Sequence, residues 1–357
     1  MRLRMSSQAG FLKRRTFPAV ATVLLVLLAG CVISPRRDGT GTTTTPPPGG
    51  TNPGKLYVTN EANNTILRFD NALTATGDQT PAATLNNTSQ ISSPQYLLID
   101  SASNRLYVAV TNAVLVYDNA STQTGGAAAS RVIQGVSSPT DLALDRVRDQ
   151  LYVTDGLSIL VFANASTANG TPTPARTINP LSGGSAFSAA AIFLDTGTDK
   201  LYVADSLNSA VNIYDGASIL NGSVNAPRTL SGANTQLSNP QGLQVDALGR
   251  LIVANNRSGS ITIYASAINV SGNIVPSATI TSPAANMAGP SQIFLSTGNE
   301  LYVADGTAGG IPIFSGVNSA NGNITPARDI AGPHTTLSRA NAGSATTARG
   351  VALDPTR

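Results

Sequence analysis

Short apolar runs of period two, separated by polar turns, recur along most of the chain. One set alternates in and out: Ile66-Leu67-Arg68-Phe69, Val114-Leu115-Val116-Tyr117, Val211-Asn212-Ile213-Tyr214, Ile261-Thr262-Ile263-Tyr264 and Ile311-Pro312-Ile313-Phe314. A second set is Leu-Tyr-Val, beginning at Leu56, Leu106, Leu151, Leu201 and Leu301, with Leu251-Ile252-Val253 as an altered sixth copy. Successive copies stand 50, 45, 50, 50 and 50 residues apart. Period-two runs rich in β-branched and aromatic residues predict strands. A further strand signal precedes each later copy and returns once after the last: Pro94, Pro139 and Pro240 stand six residues before Asp100, Asp145 and Asp246. Pro290 and Ser296 keep that spacing without the acid; Ala189 with Asp195, and Ala348 with Asp354, keep it without the proline. A fourth signal follows a glycine turn and a proline, as in Pro174-Ala175-Arg176-Thr177-Ile178 and Pro227-Arg228-Thr229-Leu230.

Four predicted strands repeating every 45–50 residues describe an all-β fold, a six-bladed β-propeller with four-stranded blades. The chain enters at a second strand (Leu56) and leaves after a first strand (residues 350–354), so the C-terminal strand is expected to join the N-terminal blade and close the ring. The propeller is assigned to residues 55–357, its core divided between neighbouring blades. The outermost strand of each blade is expected to be a free sheet edge. Prolines at its start and arginines along it (Arg131, Arg176, Arg228, Arg328) would then discourage edge-to-edge pairing.

The ends carry a different pattern. Arg2, Arg4, Lys13, Arg14 and Arg15 make a basic start, and residues 19–30 are an apolar stretch short for a membrane span. Residues 1–30 therefore predict a secretory signal peptide. Its end, Leu28-Ala29-Gly30-Cys31, resembles the bacterial lipobox, which implies cleavage before Cys31 and lipidation of that residue. Cys31 is the one cysteine of the chain and has no internal disulfide partner. Two or more acyl chains hold a protein firmly to a membrane. Val32 rather than Asp follows the cysteine, so the resemblance implies the outer membrane in a two-membrane bacterium, and otherwise the outer face of the cell membrane. Residues 31–54 run through four threonines, three prolines and paired glycines. They bury nothing and predict a disordered tether spanning on the order of 27 Å.

Charge excludes one class of partner. Taking the five basic residues of the signal from 22 leaves 17 Lys+Arg against 19 Asp+Glu. That near-neutral balance lacks the basic footprint of a nucleic-acid binder.

Leu56-Tyr57-Val58-Thr59-Asn60 followed by Asn63-Asn64-Thr65-Ile66 resembles the YVTN-type propeller repeat. The pattern of Pro240 to Asp246, and of Leu201-Tyr202-Val203-Ala204-Asp205, is similar to NHL repeats. The resemblance covers residues 55–357 and implies the fold; those families contain binders, scaffolds and some enzymes.

Catalytic raw material is scarce. His334 is the one histidine and is expected in a solvated loop, so no three-histidine zinc site can form within the chain. Tryptophan is absent, and Glu61 and Glu300 are the two glutamates, expected on opposite faces. No catalytic residue and no resident cofactor is expected. The remaining candidates are Asn60, Asp155, Asp205, Asn255 and Asp305, which end five of the second strands. Gathered around a channel they would suit Ca²⁺, which takes six to eight oxygens; as turn residues they would bond nearby backbone N–H groups. The expected function is a lipid-anchored, extracytoplasmic binding or assembly platform in the bacterial cell envelope. Its membrane contact runs through Cys31, and its protein or envelope partner sits on the long loops 231–239, 281–289 and 331–348. A divalent-cation-dependent, lactonase-like hydrolase and a structural envelope protein are the alternatives.

Overall fold

A computed structural model describes residues 53–181, 187–283, 286–337 and 347–357. They form six sheets, each built on four antiparallel strands and together making a six-bladed β-propeller. From the channel outward the blades run 97–133, 139–181, 189–230, 240–281 and 290–330, and the closing blade combines both chain ends. In that blade Ala348–Asp354 is innermost, followed by Lys55–Asn60, Thr65–Phe69 and Ala83–Leu85. Leu56 lies opposite Leu353, Tyr57 opposite Ala352 and Val58 opposite Val351. The predicted closure is thus formed by a true antiparallel ladder. Cys31, the signal segment and most of the tether lie outside the described residues.

Period two explains the Leu-Tyr-Val repeat. In the closing blade Leu56 and Val58 pack with Tyr302, Ile311 and Ile313 of the preceding blade. Tyr57, between them, points the other way and packs with Leu106, Val108 and Tyr117 of the following blade. Both faces of each blade are therefore core, and each fully buried Leu or Val contributes about 1.5–3 kcal/mol. All five tyrosines of the repeat are at most 1% exposed.

The outer strands are not free edges, contrary to the expectation from sequence. A short segment of each following blade runs parallel to them. Ile178 lies beside Gly222 and Asn179 beside Ser223; Ile280 pairs with Gly322. Leu85 meets Gly125, Ile133 meets Gly170, Leu230 meets Gly272 and, across the closure, Ile330 meets Gly77. Each of these glycines has φ between 61° and 82°, a left-handed conformation open to a residue without Cβ. Three of the arginines serve the same seam, while Arg228 pairs with Asp215 of its own blade. Arg176 donates from Nη1 to the Ala217 and Leu220 carbonyls at 3.0 and 2.8 Å, beside Tyr152, whose hydroxyl also donates to the Ala217 carbonyl. Arg328 with Tyr302 repeats the arrangement on the Ala72 carbonyl, and Arg131 with Tyr107 on that of Ala165. The sequence showed a protected edge; the structure shows a seam clasped to the next blade.

Candidate functional site: the axial channel

Each inner strand lines the channel, and its seven positions run from the face of the inter-blade loops to the face of the hairpin turns. The fourth position is apolar in all six blades: Leu97, Leu142, Ile192, Leu243, Ile293 and Val351. The third position differs in almost every copy, reading Tyr96, Asp141, Ala191, Gly242, Gln292 and Gly350.

Two of these residues bridge opposite blades. Tyr96 donates its hydroxyl to the Gln241 carbonyl at 2.6 Å. Gln292 reaches Asp141 Oδ1 with Nε2 at 3.3 Å, and the same amide donates to the Leu97 carbonyl at 3.0 Å. Its Oε1 accepts from the backbone N–H of Leu97 and of Val351. One glutamine thus ties the inner strands of four blades. The glycines make room for this bar: a Cβ on Gly242 would lie 2.1 Å from the Ser291 carbonyl oxygen, and one on Gly350 would lie 2.8 Å from that of Gln95.

Asp141 is 4% exposed. Its Oδ1 also accepts from the Leu142 N–H, and Oδ2 from the Ile192 N–H at 2.9 Å. Among the described residues no charged side chain neutralises it. Burial pushes its carboxyl up to about 7, outweighing the N–H groups and amide that favour the anion. The signal in the sequence was an acid in the middle of an inner strand, where the other copies carry Tyr, Ala, Gly or Gln. Residues that recur from blade to blade draw attention; Asp141 and Gln292 stand out by not recurring.

The bar separates two unlike spaces. On the loop side the mouth is polar. Glu61 accepts from Ser93 Oγ and Gln95 Nε2 through Oε1 and from Arg349 Nε through Oε2. Burial opposes its ionisation, but Arg349, Gln95 and Ser93 together hold its carboxyl below the usual range. Beside it lies a cleft of about 230 Å³ lined by Ser93, Gln95, Thr111, Ser137, Ser138 and Thr140. On the turn side lies an apolar cavity of about 170 Å³, bordered by the half-buried Leu98, Phe193, Gln244 and Phe294.

The five candidate oxygen ligands sit elsewhere. Each ends a second strand on the loop face and bonds within its own surroundings. Asp305 Oδ1 accepts from the Gly289, Thr307 and Ala308 N–H groups, and Oδ2 from that of Ala288. Asp155 accepts from Ser137 and Ser138, Asp205 from Ser188 and Asn208, Asn255 from Ser238 and Asn60 from Asn63. Asn60 also donates to the Thr336 carbonyl at 2.8 Å. These side chains fasten the incoming loop to the turn beyond the strand, and none of them lines the axial cavity. Among the described residues no three His, Cys, Asp or Glu side chains gather into a metal-binding group. Asp305→Ala is expected to cost about 2–3 kcal/mol by orphaning buried N–H donors, checked by urea unfolding.

Glu300 lies on the turn side, paired with Arg328 at 2.7 Å, away from Glu61. His334 is exposed but not solitary: Asp78 of the closing blade accepts from its backbone N–H at 2.7 Å and faces Nδ1 of its ring. Of the three long loops, 231–239 is fully described; residues 284–285 and 338–346 lie outside the described residues.

No family model matches the chain, and no curated protein matches it. Solved structures do. A protein of unknown function from Bacteroides caccae superposes with a TM-score of 0.57 at 10% identity, covering 84% of this chain and 98% of its own. A chain of the nidogen/laminin complex superposes with a TM-score of 0.55 at 15% identity and the same coverage. At such identities the likeness is one of fold: the chain is a six-bladed β-propeller.

Proposed function

We propose that the chain is a non-enzymatic, lipid-anchored binding platform of the bacterial cell envelope, of the NHL/YVTN propeller type. The observation that supports it best is the loop face. There described inter-blade residues such as Glu61, Ser93, Gln95 and Arg349 form a mouth of hydroxyl, amide and ion-paired groups, on a scaffold whose repeated carboxylates are spent on backbone N–H donors. Rigid scaffolds concentrate recognition on such loops. One of the similar folds comes from a complex between two proteins. The sequence around Cys31 supports a lipid anchor and placement in the outer membrane where there are two membranes.

Two experiments test the reading. Cells fed an alkyne fatty acid should label the full chain, and Cys31→Ser should abolish the label. In-cell photocrosslinking from position 234, on the loop 231–239, should give a discrete adduct. A control at position 147, in a turn on the other face, should give none. An unlabelled chain removes the anchor, and adduct patterns indistinguishable between the two positions remove the platform.

A further inference from the structure

We propose that the turn-side cavity of the channel is a binding site for a small uncharged ring compound bearing one carbonyl or similar hydrogen-bond acceptor. The inference goes beyond the platform reading, because this site opens on the face opposite the inter-blade loops.

Size comes first. A cavity of about 170 Å³ is close to the roughly 150 Å³ engineered cavity that stays dry and takes benzene. One substituted six-membered ring fills it; a nucleotide or a sugar chain does not fit. The wall sets polarity. Its inner girdle is the six apolar fourth-position residues, and its rim adds Leu98, Phe193, Phe294 and Ala352. No Lys, Arg or His lines it, so a carboxylate or phosphate entering it would lose water without gaining a counter-charge.

The polar groups then select the ligand. At the closed end Gln292 is saturated: its oxygen accepts from two backbone N–H groups and its nitrogen donates to Leu97 and Asp141. Both Asp141 oxygens likewise accept backbone N–H groups. Gln244 differs. It borders the cavity, and its Oε1 accepts from the Leu295 N–H at 2.8 Å, which fixes the amide and leaves Nε2 a donor with no protein acceptor among the described residues. An apolar pocket with one oriented polar group is the usual make-up of a small-molecule site. The fifth inner-strand position, where Gln244 stands, is Leu98, Ala143, Phe193, Phe294 and Ala352 in the other blades. The repeat itself therefore does not require a glutamine there.

The probes are 4-fluoroacetophenone and its hydrocarbon counterpart 4-fluoroethylbenzene, titrated by fluorine NMR against the full chain. Binding is expected with a Kd of about 1 mM or tighter for the ketone and about tenfold weaker for the hydrocarbon, the worth of one hydrogen bond. Ala352→Leu narrows the cavity and should weaken both probes about tenfold or more. Gln244→Glu keeps the acceptor for Leu295 and removes the donor. It should weaken the ketone about tenfold and erase its advantage over the hydrocarbon. Thermal melts confirm that each variant is folded; should Ala352→Leu not fold, Gln244→Glu alone decides. Absence of ketone binding, or binding that both folded variants leave unchanged, overturns the site. A chain that crosslinks at position 234 yet binds neither probe loses the cavity site and keeps the platform; the converse result separates them the other way.

Discussion

A chain stopped after Thr347 should show no cooperative unfolding transition. The ten residues removed include the whole inner strand of the closing blade, with Val351 and Leu353 each 1% exposed in the core. Those two side chains alone bury apolar surface worth about 3–6 kcal/mol together. Their loss is compounded by the ladder to Lys55–Asn60, the Arg349–Glu61 ion pair and the Val351 N–H on Gln292. Against a total stability of about 5–15 kcal/mol for an ordinary domain, the deficit is decisive. Near-ultraviolet circular dichroism and a thermal scan check it. A truncated chain melting sharply within a few degrees of the intact one would show that the ring does not depend on its clasp.

Stability should fall as the solution is made less acidic from about pH 4 to pH 7, and Asp141 should be the cause. The folded carboxyl titrates near 7, whereas an unfolded one titrates near 3.9. Below the unfolded value both states are protonated. Between the two values only the unfolded chain has released its proton, so each pH unit costs the fold about 1.4 kcal/mol, for a total of about 4 kcal/mol. Above pH 7 the curve levels. The other shifted carboxylates act in the opposite direction: Asp70 and Asp118 are held low by ion partners despite burial, so their contribution is lost at still lower pH. Urea midpoints between pH 4.5 and 8 should show the decline in the native chain and a flat line in Asp141→Asn. An equal slope in both proteins would reassign the effect.

Legibility in the sequence followed repetition. The Leu-Tyr-Val copies recur in nearly every blade, the proline six residues before an aspartate marks the first strand in three of them, and the first strand left over at the C-terminus has its place in the blade that begins at Leu56. Together they gave blade number, strand order and closure. The free edge was misjudged for a physical reason: the segments that cover it are at most four residues long, beginning at glycines such as Gly222 and Gly322 or reduced to one bridging glycine, and too short to carry a periodic signal. The arginines were visible, but the carbonyl acceptors of Arg131, Arg176 and Arg328 belong to another blade, which sequence spacing cannot register. The channel bar was missed because Tyr96 and Gln241, or Gln292 and Asp141, stand 145 and 151 residues apart. Only the angular arrangement of the blades makes them face one another.

The shared blade also determines how the ring bears a load. The polypeptide enters it at Lys55, flanked by Asp354 on one side and leading toward Phe69 on the other. Tension applied from the N-terminal side would pull along this strand, while the bonds on both its flanks lie across that direction. Two ladders would therefore have to shear together before the strand slipped, instead of parting one bond at a time. A pull at this end would thus be met at a place where the force is divided.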